Sequence, residues 1–104
     1  MEILKVSGRS SPNAVAGAIA GILREQGHVC VQVIGAGALN QAVKAVAIAG
    51  SFVEEEGIEL VCRPAFHELD FDGEIRTAIR LLIEDRTGAR HEVSSGAEVT
   101  AGEA

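Results

Sequence analysis

The chain has 104 residues, 47% of them hydrophobic, with three Phe and no Tyr or Trp. This fits one small globular domain whose core is built from Val, Ile, Leu and Ala, and it argues against disorder over most of the length and against an aromatic base-stacking reader. A formal net charge of −6 lowers the expectation of nucleic-acid binding, since sequence-independent affinity comes from Lys and Arg neutralising phosphates, and leaves room only for a local basic patch.

The elements follow in chain order. Glu2-Ile3-Leu4-Lys5-Val6-Ser7 is short and β-prone. Gly8 to Asn13 has the chemistry of a loop entering a helix, with Ser11 as N-cap and Pro12 at the first helical position, where its missing N–H costs nothing. The spacing predicts a helix from about Pro12 to Gln26 that turns Val15, Ile19, Ile22 and Leu23 inward and stops at Gly27. Ala14, Gly17, Ala18 and Gly21 make a small-residue stripe on it. Two helical glycines each cost roughly 1 kcal/mol relative to alanine, which implies close approach by the second helix or by another subunit.

His28 to Ile34 is predicted as the second strand. After Gly37 a helix runs to about Val53 with Leu39, Val43, Val46 and Ala47 inward, and Ala38, Ala42, Ala45 and Ala49 form a second small-residue stripe. A third strand starts near Ile58, with Ile58, Leu60, Cys62, Pro64 and Phe66 as its inward set. Pro64 cannot donate to a ladder, which pushes this strand to an edge or a bulge. Asp72-Gly73 signals a hairpin, and Ile75 to Ile83 alternates with polar residues as the returning strand. From Thr87 to Ala104 the chain is polar and rich in Gly, Ser, Ala and Glu, the composition of a mobile tail. Residues 1–86 thus form one domain and 87–104 a tail.

The order β-α-β-α-β-β belongs to the α/β class, with a mixed four-stranded sheet and two helices on one face. Cys30 and Cys62 sit in apolar stretches without CxxC spacing and read as buried free thiols of a reducing compartment. The N-terminus lacks the basic region and apolar run of a signal peptide, and Gly or charge interrupts the longer apolar stretches before membrane-spanning length, so a cytoplasmic protein without a membrane partner is expected.

The sharpest chemical feature is the switch from period 2 to period 3.6 at Ile34-Gly35-Ala36-Gly37. A helix N-terminus there exposes N–H groups, and Gly35 and Gly37 let a phosphate approach the backbone, with Asn40, Gln41 and Lys44 following in the first turns. The competing reading is a tight connection and nothing more. A dinucleotide fingerprint would need a third glycine where Asn40 stands, and no Walker lysine, nucleophile elbow or catalytic carboxylate pair can be placed, so an enzyme is not expected and no cofactor is implied. His28, His67 and His91 have no partners at metal spacing, so no metal is expected.

Several segments together carry a family resemblance: Glu2-Ile3-Leu4-Lys5-Val6-Ser7, Ser10-Ser11-Pro12-Asn13-Ala14-Val15-Ala16-Gly17, Ile34 through Ala49, and Pro64-Ala65-Phe66. Over residues 1–86 the chain resembles the stage V sporulation protein S family, which in turn is similar to the Alba superfamily of archaeal chromatin and RNA-binding proteins. The resemblance implies an Alba-like fold, a homodimer or tetramer, and a non-enzymatic regulatory role in sporulation through DNA or RNA. It places the nucleic-acid contacts on Arg9, Ser10, Ser11 and Asn13 before the first helix, and on Gly35, Gly37, Asn40, Gln41 and Lys44 at the second. Arg63, Arg76 and Arg80 lie on the hairpin that serves as an arm in that superfamily. Where Alba proteins carry a lysine pair, Ser10 and Ser11 stand here, and the hairpin tip carries Glu68, Asp70, Asp72 and Glu74. The alternative is a protein-interaction module in which the small-residue stripes drive oligomerisation and no nucleic acid is bound.

Overall fold

In the computed structural model, which describes residues 3–87, strand β1 (Ile3–Lys5) lies parallel to β2 (His28–Val33), with Ile3 beside Cys30 and Lys5 beside Gln32. Helix α1 (Pro12–Gln26) connects them, and α2 (Ala36–Val53) follows β2. After a 3-10 turn at Glu54–Glu56 come β3 (Leu60–Phe71) and β4 (Glu74–Asp85). The sheet order is β1-β2-β4-β3, with β4 antiparallel to both of its neighbours. This is the mixed four-stranded α/β arrangement expected. The expected tail lies, apart from Thr87, outside the described residues.

Local chemistry explains the element ends. Ser11 has extended backbone angles and its Oγ accepts from Ala14 N at 3.3 Å, while Gly27, with φ of 83°, donates its N–H to Leu23 O and ends the helix in the left-handed region. Ser11→Ala should therefore cost about 1 kcal/mol of stability, read as a lower urea midpoint at an unchanged slope. The hairpin turns on Asp72 and Gly73, both with positive φ, and Gly73 N donates to Asp70 Oδ1 at 2.7 Å. Two consecutive left-handed residues match the strand twist, which is why Asp-Gly marks hairpins.

The core is a sandwich of one sheet face against the helices: Val29, Val31 and Val33 from β2, Leu81 and Ile83 from β4, Ile19 and Leu23 from α1, and a row of alanines. These alanines correct the expected helix faces. On α2 the buried positions are Ala38, Ala42, Ala45, Ala49 and Val53, whereas Val43 is 53% exposed and Ala47 lies outside. The alanine stripe thus serves packing within the chain, because small side chains let α1 and α2 approach closely. Ala16 and Ala20 do the same on α1, with Val15 and Ile22 only half-buried. The other α1 stripe does not face α2: Ala14, Gly17 and Ala18 are exposed, and a Cβ on Gly17 or Gly21 would meet nothing within 4 Å.

Three further expectations change. Helix α2 begins at Ala36, before Gly37, and β2 ends at Val33. Strand β3 begins at Leu60, leaving Ile58 buried in a loop against Ala20 and Val53. Beyond Leu60 the inward set of β3 is not covered: Cys62 and Pro64 are exposed and Phe66 is 82% exposed. Pro64 does lie on an edge strand, as its missing N–H requires. Residues 36–56 also have the length and mean hydropathy (1.2) of a membrane-crossing helix, contrary to the sequence reading. In this fold the alanine face of that helix is buried in the core.

Candidate nucleic-acid interface

Two loops meet at the carboxyl ends of the parallel strands. The first runs from Val6 to Ser11, where Ser7 N donates to Ser10 Oγ at 3.0 Å and Ser10 N to Ser7 O at 3.1 Å, closing a tight turn that presents Arg9 to solvent. The second is the turn before α2, where Gly35 adopts φ of 91° and no side chain caps the helix. Gln41 joins them: its Nε2 donates to Ser10 O at 3.0 Å. A Cβ built on Gly37 would stand 3.8 Å from Gly8 Cα, so the close approach at that glycine is made by the neighbouring loop. The N-termini of α1 and α2 are thereby held side by side, with Asn13, Asn40 and Lys44 exposed near them.

The roles within this group differ. Ser11 caps α1, Ser10 and Gln41 hold the loops together, and Gly35 makes the left-handed turn. Arg9, Asn13, Asn40 and Lys44 retain exposed side chains. The uncapped α2 N-terminus adds a partial positive charge within the first turn. Such an end can hold a phosphate oxygen, with Lys44 one turn further along on the same side as Asn40.

The hairpin rises from this same end, because β4 pairs with β2 only from Ile79 to Glu84 and the rest of β3 and β4 continues past the end of β2. Its arginines do not join the loop residues on the helix side. Leu81 and Ile83 face the helices, so the alternating Arg76 and Arg80 face the other way, and Arg63, paired in register with Leu82, shares that side. Arg80 is half-buried there, and its Nε donates to Gln32 Oε1 at 2.9 Å. The described ion pairs are Arg24–Glu56 at 2.8 Å and Arg86–Glu59 at 3.1 Å. None of the three hairpin arginines pairs with a carboxylate among the described residues, so cross-strand neutralisation does not occupy them.

The thiols divide. Cys30 is buried on β2, where burial pushes its thiol up and nearby Arg80 partly offsets this, and Cys62 is exposed on β3. No three His, Cys, Asp or Glu side chains come together at metal-binding range among the described residues. At the opposite end of α2 an open groove is walled by Val46, Ala47, Ile58 and Leu60 and rimmed by Glu54 and Glu59; its carboxylates oppose any anion. Sequence reasoning missed Lys5, whose place beside Gln32 on the arginine face depends on the β1–β2 register.

A family model for stage V sporulation protein S (SpoVS) matches residues 2–86, the segment that contains both loops, both helices and the whole hairpin. The chain belongs to the stage V sporulation protein S family of sporulation-related regulatory proteins.

Proposed function

We propose that this protein is a non-enzymatic, cytoplasmic regulator of sporulation that binds DNA or RNA through the backbone phosphates. The observation that carries the reading is the Gln41–Ser10 hydrogen bond, which gathers two helix N-termini, Arg9, Asn13, Asn40 and Lys44 at the end from which the arginine-bearing hairpin projects. Donors and cations converge there, an arrangement that suits phosphate oxygens. Affinity is modest, because the net charge is −6 and few cations act at any one surface.

Anisotropy of fluorescent duplex DNA and single-stranded RNA across a salt series tests it. Binding should weaken steeply with salt, and Arg9→Glu and Lys44→Ala should each weaken it, with about one unit less salt slope for each lost phosphate contact. Wild-type protein that binds neither probe at low salt would overturn the reading.

A second reading, a protein-interaction module, is favoured by one observation. Phe66 on β3 and Ile75 on β4 are exposed large apolar side chains on the helix side of the hairpin, with Glu68 and Asp70 on the same side, and Val43 is exposed on α2. Apolar side chains this large, left open on one side of a small domain, mark an interaction surface. We assign it to self-association as a homodimer or tetramer, which is compatible with nucleic-acid binding elsewhere on the molecule.

A further inference from the structure

The side of the sheet away from the helices is a cationic face on an acidic protein. The register places Lys5, Gln32, Arg80 and Ala65 in one row across all four strands, with Arg63 beside Leu82 in the next row and Arg76 beside Leu69 towards the hairpin tip. His67, opposite Ala78, falls on the same side. Four of the nine Lys and Arg residues of the chain are therefore on this one face. Its acids are confined to the ends: Glu84 beside Val61, and Glu74 beside Phe71 at the tip. By contrast, Glu68 and Asp70 alternate onto the helix side of β3, and Glu54, Glu55 and Glu56 follow α2.

Two features distinguish this face from an ordinary solvated one. None of Lys5, Arg63, Arg76 or Arg80 forms an ion pair among the described residues. In-register neighbours that could have been acids are instead Leu82, Leu69, Ala65 and Gln32. Gln32, itself only 7% exposed, accepts from Arg80 Nε and fixes that guanidinium in the middle of the face.

Resting on the nucleic-acid reading above, we infer that this helix-free sheet face is a docking surface for the backbone of double-stranded nucleic acid, with Lys5, Arg63, Arg76 and Arg80 as its phosphate contacts. The spread of charge selects the duplex. Lys5 on β1 and Arg63 on β3 are three strand spacings apart, about 14 Å, and Arg76 and Arg80 are separated by about 13 Å along β4. Such a two-dimensional array suits phosphates on both sides of a groove, since duplex grooves are about 6 to 12 Å wide, whereas one extended strand would meet only a line of it. Base stacking contributes little, because the rings of this face among the described residues are only His67 and, at the tip, Phe71. Recognition is accordingly of backbone and not of sequence.

The test compares full-length wild type, Lys5→Glu/Arg63→Glu and Arg9→Glu/Lys44→Glu for anisotropy binding of one short DNA duplex, its RNA duplex counterpart and one component single strand over a salt series. All four positions are exposed, and circular dichroism checks that each variant is folded; Lys5→Gln/Arg63→Gln replaces the first variant if charge reversal disturbs β1. The expected result is that wild type prefers duplex, and that Lys5→Glu/Arg63→Glu weakens duplex binding by about tenfold to a hundredfold and lowers the logarithmic salt slope by about two. Wild-type affinity in that variant, with loss confined to Arg9→Glu/Lys44→Glu, would overturn the sheet face and leave the loops as the site. Preference for the single strand would overturn the duplex assignment. No wild-type binding to any probe would be a different result, removing the functional reading and this surface with it.

Discussion

Replacing Ala45 with leucine should destabilise the protein by about 3 kcal/mol, the upper part of the range for adding bulk to a filled core. Ala45 is fully buried on α2 within a cluster that includes Ala16, Ala38, Ala42 and Ala49 as well as Ile19 and Leu23. Helices that meet through alanines lie close, and three added carbon atoms can be admitted only if α1 and α2 separate or side chains leave their preferred rotamers. Small domains have about 5 to 15 kcal/mol in total, so the loss should lower the urea midpoint markedly while leaving its slope unchanged. Ala47→Leu is the internal control. Ala47 is exposed two residues further on, and its substitution should stay within about 0.5 kcal/mol of wild type. Equal midpoints for the two variants would contradict the packing described for α2.

Phe66→Glu is expected to convert an assembled protein into monomers with little change in fold stability. The side chain is 82% exposed, so it contributes almost nothing to the core of its own chain. On the helix side of the hairpin it stands between Pro64 and Glu68 and opposite Ile79, with exposed Ile75 further towards the tip. An aromatic side chain buried in an interface acts as an anchor, and losing it costs about 2 kcal/mol or more of association free energy, roughly thirtyfold in the dissociation constant. A carboxylate at the centre adds a desolvation cost on top of that. Light scattering over a concentration series reads the outcome. If wild type is monomeric throughout, the self-association reading is wrong; if the variant assembles like wild type, the surface is elsewhere.

These two expectations show where a single sequence is informative and where it is not. Ser11-Pro12, Gly27 and Asp72-Gly73 announce their roles directly, because each acts through its own backbone or one hydrogen bond to a near neighbour. The edge position of β3 follows from Pro64 for the same reason. The inner face of α2 is only partly legible: Leu39 and Val46 pack against the core as expected, but its fully buried positions are alanines and Val43 faces solvent. Hydrophobicity ranks what gains most from burial, whereas interhelical distance decides what fits.

The candidate site divides similarly. Gly35 and Lys44 are identifiable from the turn chemistry around them, and Arg9 from the family resemblance. Gln41 reads in the sequence as a ligand-facing residue at the start of a helix, and its hydrogen bond to Ser10, 31 positions away, makes it a strut between loops. Lys5 carried no signal, since a lone lysine on a short strand is common. Only the pairing of β1 with β2 and of β2 with β4 aligns Lys5, Gln32 and Arg80 in one row.

By itself, then, the sequence determined the element order, the caps of α1, the hairpin turn and the family, all of which rest on local backbone chemistry or on contiguous motifs. The tertiary structure alone decided which faces are covered. Helices α1 and α2 leave β3 exposed beyond Leu60, so Cys62, Pro64 and Phe66 face solvent despite a strand period that marks them as interior. Strand register alone gathers the cations of three strands on the opposite side. Periodicity fixes which residues share a side of a strand, but the solvent or the neighbour on that side is chosen by elements distant in the chain.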